Sequence, residues 1–147
     1  MRLHLSLILV LATAVAACSQ NGGTAASPGA PATVGPTRIE IRLTDALRIE
    51  PAEMTVPAGV PVTFVVTNTG AADHEFYLGD EAEQAAHAEE MAAMGGMAHD
   101  EPEGIAVEPG QTKELRYTFP EKGETLAGCH VDGHYAAGMK AAISVTG

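Results

Sequence analysis

From Thr37 to Leu43 the chain alternates polar and apolar residues, TRIEIRL, which puts Ile39, Ile41 and Leu43 on one side of an extended strand. In the following run, DALRIEPAEMTVPAG, Pro51 and Pro57 rule out a long helix and Ala58-Gly59 marks a turn. VPVTFVVTN, from Val60 to Asn68, is dense in β-branched residues and predicts a strand; Thr69-Gly70 ends it and delivers the chain to His74 and the apolar run EFYL. IAVEPGQTKELRYTF holds two more strands parted by Pro109-Gly110, with Leu115, Tyr117 and Phe119 on one face. GETLAGC leads into a loop, and KAAISVTG predicts a closing strand with Ala142, Ile143 and Val145. Short strands with turn signals between them imply an all-β, Greek-key β-sandwich.

One stretch breaks the pattern. Gly79 to Gly104 carries eight acidic residues, no Lys or Arg, two His and three Met. Asp80 and Glu83 resemble a capping box, the Ala- and Glu-rich run after them favours helix, and Gly95-Gly96 would stop it. The expectation is one helix from about Glu81 to Met94, inserted between two strands of the sandwich, with His87, Met91 and Met94 on one face.

The N-terminal residues have a different character. Met1 to Ala17 opens with Arg2 and continues as the apolar run LSLILVLATAVAA, which reads as a secretory signal, too short and asymmetric for a membrane span. The string VAAC ending at Cys18 resembles the lipobox of bacterial lipoproteins, which implies a lipid on Cys18; an ordinary signal cut nearby is the alternative. Ser19 resembles the outer-membrane form of the Gram-negative sorting rule. SQNGGTAASPGAPATVGP, residues 19–36, offers almost nothing to bury and predicts a flexible linker to one domain over 37–147. The expected location is the periplasm, with the membrane touched through the lipid anchor only.

Composition narrows the function. A formal charge of -11 argues against nucleic acid as a partner, because a polyphosphate is recognised by clustered Lys and Arg. There are two cysteines, and with Cys18 acylated Cys129 has no intramolecular partner. A thiol kept unpaired in an oxidising compartment has a reason if it is held as a metal thiolate.

That thiol lies in GCHVDGHYAAGMK, where Cys129, His134 and Met139 are separated by four residues each. Thiolate, imidazole and thioether form a soft S/N set that suits copper, and His74 is the candidate for a second imidazole. The expected centre is mononuclear type 1 (blue) copper, cycling between Cu(I) and Cu(II), with His74, Cys129 and His134 in a trigonal plane and Met139 as weak axial ligand. His130 competes with His134, but residues adjacent on a strand point to opposite faces, so His130 should face away from a metal on Cys129. In the insertion, His87, Met91, Met94, Met97 and His99 have two readings: a weaker second copper site, or a stripe whose Met91 and Met94 pack the helix onto the sandwich while the carboxylates face water. Methionines at helical spacing favour packing.

With PAEMTVPAGVPVTFVVTN, the HEF histidine and the Cys, His, Met loop before a terminal strand, the folded part resembles the cupredoxins, the blue copper protein family. The loop spacing is similar to the rusticyanin and sulfocyanin branch more than to plastocyanin. The resemblance implies the same four ligands, an electron carrier rather than an enzyme, and His134 as the port through which a cytochrome or reductase docks transiently, with the protein a monomer. Copper storage or delivery in the periplasm is the alternative. A copper oxidase or nitrite reductase would need a further histidine-rich site, and His87, His99 and His130 are scattered.

Overall fold

The computed structural model describes residues 37–131 and 133–147; the expected signal, Cys18 and the linker lie outside them. The elements in chain order are β1 (Thr37–Thr44), β2 (Arg48–Glu50), β3 (Glu53–Pro57), β4 (Val62–Asn68), β5 (His74–Gly79), α1 (Glu81–Ala93), β6 (Gly104–Val107), β7 (Thr112–Tyr117), β8 (Gly123–Gly128) and β9 (Lys140–Thr146). One sheet has the order β2, β1, β4, β7 and the other β3, β9, β8, β5, β6. β1 pairs β4 and β3 pairs β9 in parallel, while the remaining ladders are antiparallel. The expected sandwich with one inserted helix is the architecture that forms.

The alternation in β1 is used as the pattern requires: Ile41 and Leu43 are buried, and Arg38 and Glu40 pair with each other at the surface. β4 is central in its sheet and nearly continuous in burial, and its Phe64 ring meets Phe76 of β5 at 5.3 Å across the sandwich. Phe119 closes the cluster edge-on to Phe64 at 6.3 Å. Rings of this size each contribute roughly 2–3 kcal/mol by leaving water, so the two sheets are held at their centre by aromatic contact.

The short strands β2, β3 and β8 were not evident from local pattern. GETLAG forms β8, although glycine at both ends makes it a poor strand former, because β5 and β9 pair it on either side. β6 and β7, adjacent in sequence, sit in different sheets, so the Pro109-Gly110 turn is where the chain changes layers.

Asn68 fixes that corner. It is fully buried, and its side-chain amide donates to the carbonyls of Ala72 and Val107, both at 2.8 Å, while its Oδ1 accepts the Gly70 N–H at 2.9 Å. The segment leading to His74 is thereby tied to β6. Asn68→Ala strands the buried Val107 carbonyl and removes the partners of the Ala72 carbonyl and the Gly70 N–H, and the expected loss is about 2 kcal/mol of unfolding free energy in urea titration. An unchanged midpoint would show that other contacts hold the segment.

Candidate metal centre

Three chain segments converge at one end of the sandwich. His74 opens β5 on the core face, the face shared by Phe76 and Leu78, and Cys129 follows β8, which is the antiparallel neighbour of β5. The β8–β9 ladder ends at Gly128 opposite Lys140, so residues 129–139 are the loop between these strands. The Cys129 N–H donates to the Met139 carbonyl at 3.2 Å, and the Met139 N–H donates to the His134 carbonyl at 3.0 Å. These bonds fold the loop back on itself. Gly133 and Gly138 take φ of 76° and 94°, the left-handed region that glycine enters without a Cβ clash.

The fold brings the side chains of His74, Cys129 and His134 together. Cys129 Sγ lies 3.9 Å from His74 Nδ1 and 3.4 Å from His134 Nδ1, and the two rings are 5.0 Å apart. Donors spaced by about 3–4 Å can share one metal ion at bonds of roughly 2.0–2.3 Å. His74 and Cys129 are fully buried and His134 half-buried.

The electrostatics follow from this burial. Removal from water pushes the Cys129 thiol up to about 11, against the partial relief of N–H donors from Glu75 and Val131. The Glu75 N–H donates to Sγ at 3.3 Å. His74 is driven below the usual histidine range, first by burial and then by His134 nearby, so it is a neutral imidazole at neutral pH. Its Nε2 is buried without a hydrogen-bond partner, with Asp45 Oδ1 3.8 Å away. Asp45 itself accepts the N–H groups of Ala71 and Ala72, which hold its carboxyl below the ordinary range.

These groups suit a soft cation. A buried thiol facing two imidazole Nδ1 atoms is a poor hydrogen-bond cluster but a good S/N/N donor set. Met139 is fully buried at the loop's end, and the structure fixes its backbone against both Cys129 and His134. His130 turns to the opposite face, where its Nε2 hydrogen-bonds Gln84 Oε1 at 2.7 Å and its ring stacks on Tyr135.

α1 begins with the expected capping box: Asp80 Oδ1 accepts the N–H groups of Ala82 and Glu83, and Glu83 Oε2 accepts that of Asp80. The helix presents Gln84, His87 and Met91 to the sheet. The expectation that both Met91 and Met94 pack inward needs correcting. Met91 is 1% exposed and Met94 37%, because the helix ends at Ala93 and Met94 leaves the stripe. Met97 is 70% exposed and lies on a groove lined also by His74 and Val131. The five residues considered for a second copper site are thus not gathered as one set: His87 and His99 approach each other, with ring centres 6.0 Å apart, while Met94 and Met97 stand in solvent.

Sequence reasoning passed over Glu75, Gln84 and Glu101. Glu75, to which the sequence reading gave no role, is fully buried beneath α1, where its Oε1 meets His87 Nε2 at 2.9 Å and its Oε2 accepts the His130 N–H at 3.1 Å. Burial raises the Glu75 carboxyl above its usual range despite these donors. The only local signal was an acid between His74 and Phe76 in an otherwise apolar strand.

Comparison with known proteins agrees with this geometry. Residues 37–146 match the family described as copper binding proteins, plastocyanin/azurin family. Proteins named "Copper-resistant cuproprotein CopI" from Rubrivivax gelatinosus and Vibrio cholerae are each 37% identical over 73% of this chain; the matches span 65% and 64% of those relatives, just under two thirds of their length. The protein of that name from Pseudomonas aeruginosa is 34% identical over 92% of this chain and 91% of its own. Among solved structures, auracyanin A of Chloroflexus aurantiacus, titled a "blue" copper protein, superposes with TM-score 0.65 at 31% identity, covering 76% of this chain and all of that one. Reduced auracyanin of Roseiflexus castenholzii gives 0.64 at 29% identity, covering 77% of this chain and all of that one.

Since the metal-free thiol is neutral, Cu(II) uptake at Cys129 must expel its proton. The affinity should therefore rise about tenfold per pH unit from about pH 7 to about pH 10, and calorimetry in buffers of different ionisation enthalpy should count close to one proton released. A flat profile would mean that the metal sits elsewhere.

Proposed function

Given that the chain belongs to the plastocyanin/azurin family of copper-binding proteins, we propose that it is an electron carrier whose single-electron centre would be held by His74, Cys129 and His134, with Met139 as a further ligand. The observation that carries this reading is the buried Sγ facing two Nδ1 atoms at 3.4 and 3.9 Å. Copper bound there would supply one-electron exchange between Cu(I) and Cu(II).

The chain's own residues supply what such exchange needs. A thiolate and two neutral imidazoles suit both oxidation states, and a donor set fixed on strand ends and a closed loop moves little between them. The Glu75 N–H on Sγ draws charge from the sulfur and favours the reduced state. Phe76, Leu78 and the rest of the core keep water from the inner side. His134 reaches a shallow surface depression that it shares with Asp45, Leu47, Ala71, Ala72 and His74, a small patch suited to brief docking.

The partner and setting belong to the same proposal. A charge of -11 supports attraction to a basic cytochrome or reductase, and the string from Arg2 to Cys18 supports a periplasmic, lipid-anchored place of work. Copper handling in metal tolerance is the second reading, supported by the printed names of the relatives. The two differ in exchange: a carrier of cargo must give copper up, whereas an electron carrier keeps it.

Three measurements test this. Copper-loaded, oxidised protein should show an intense visible thiolate-to-copper band that Cys129→Ser abolishes. Challenge with a Cu(I) chelator should leave the reduced centre loaded over many turnovers; rapid loss would favour the cargo reading. Electron transfer with a basic cytochrome should slow as salt rises, since screening shortens the reach of the acidic surface to about 8 Å at physiological ionic strength.

A further inference from the structure

We propose that Asp45 is a positioning residue of the sulfur centre: its carboxylate receives the Nε2–H of His74, fixes which nitrogen of that ring is free to bind, and by its charge favours the oxidised state of a metal held there. The inference rests on His74, Cys129 and His134 being the ligands.

The argument begins at the far side of the His74 ring. Its Nδ1 is the nitrogen that faces Cys129 Sγ, at 3.9 Å, so a neutral ring that offers Nδ1 to a metal carries its proton on Nε2. That nitrogen is buried and has no hydrogen-bond partner, a costly condition for an N–H closed off from water. The charged atom beside it is Asp45 Oδ1, at 3.8 Å. The gap is too long for a hydrogen bond, and a movement of about 1 Å closes it. A histidine that binds metal through one nitrogen commonly donates its other N–H to a carboxylate, a carbonyl or water, and Asp45 is the acid within reach.

Several contacts hold the carboxylate at this spot. Asp45 lies in the turn between β1 and β2, where Leu47 takes a φ of 55° and packs against the core. Beside it runs the turn that leads into His74. The Thr69 N–H and hydroxyl both donate to the Leu43 carbonyl, at 2.8 and 3.0 Å, which ties the end of β1 to that second turn. Asp45 completes the link, because its Oδ1 accepts the Ala71 N–H at 2.8 Å and the Ala72 N–H at 3.2 Å. Residue 70 has to be glycine for this fit: a Cβ there would collide with the carboxylate. The backbone just before His74 thus grips the acid that faces the ring.

Charge gives the contact its effect. The oxidised state of a metal on His74 carries the greater positive charge, and a carboxylate at the ring's other nitrogen stabilises that state through the imidazole. The Asp45 side chain is 54% exposed, so solvent screening keeps the effect modest. Asp73 provides a comparison within the same molecule. It is the exposed acid next to His74 in sequence, and it lines the groove that holds Met97 rather than the depression that holds Asp45.

The test uses the full chain, copper-loaded until its visible band saturates, with the redox equilibrium titrated against a mediator at one pH and ionic strength. Asp45→Asn keeps the shape and an oxygen for the two N–H groups but removes the charge. It should retain the band and shift the equilibrium about fivefold toward the reduced form, roughly 40 mV at 59 mV per decade, while Asp73→Asn shifts it less than about twofold. A shift for Asp45→Asn no larger than that for Asp73→Asn overturns the proposal, since the acid would then act only as part of the net charge. Nuclear magnetic resonance of the native Cu(I) form, which is diamagnetic, checks the contact without a variant. The His74 Nε2–H proton should lie downfield, where an imidazole bonded to a carboxylate resonates; the position of an unbonded ring N–H would overturn the proposal as well. Absence of the visible band in the native chain would instead refute the ligand set, and this inference with it.

Discussion

Two neighbouring strands each place one side chain inward and the next outward, and the chemistry of the molecule depends on that alternation. On β5, His74, Phe76 and Leu78 face the core, while Glu75 and Tyr77 face α1; where β8 ends, Cys129 faces inward and His130 outward. Paired strands lie about 4.8 Å apart, so an imidazole from one and a thiol from the other meet without any bend in the backbone. The same peptide units serve the outer face. The Glu75 N–H reaches Sγ and the Glu75 carboxylate accepts the His130 N–H, so the inner and outer groups share one short stretch of main chain.

The insertion is docked by polar contacts rather than by an apolar stripe. Gln84 accepts from His130 and donates to the carbonyls of Tyr77 and Gly79, and His87 stacks flat on Tyr77 at 3.9 Å. Such a network contributes little net free energy beside hydrophobic packing, but it fixes position, because any shift leaves buried groups unsatisfied. Close approach is possible because residue 128 is glycine: a Cβ there would come within 2.5 Å of Gln84 Oε1 and 2.7 Å of the Tyr135 ring. Helix, β8 and ligand loop are therefore fitted to one another at a single point.

Burial acts in the same sense on the two faces, favouring the neutral form of each group. On the inner face it raises the Cys129 thiol and lowers His74, which leaves neutral donors ready for a soft ion. On the outer face it raises Glu75 and lowers His130 to about 4, which disfavours charge where charge has no counter-ion nearby. The fold is shared with the auracyanins, and the outer face combines Glu75 and His130 of the sandwich with Gln84 and His87 of the insertion.

Much of this was written in local pattern. The alternation of TRIEIRL, the β-branched run before Asn68, the capping box at Asp80 and the spacing of Cys129, His134 and Met139 each follow from short-range rules, and each appears as an element or a turn in its expected place. The direction of His130 followed from the same alternation. Local pattern did not identify β8, the change of sheet between β6 and β7, the burial of Glu75 or the exposure of Met94. Those depend on which strand lies beside GETLAG, on what covers the outer face of β5 and on where α1 runs out. A sequence carries the periodicity of a surface but not the identity of the surface packed against it; a carboxylate destined for water and one sealed under a helix look the same until the tertiary structure brings the helix down.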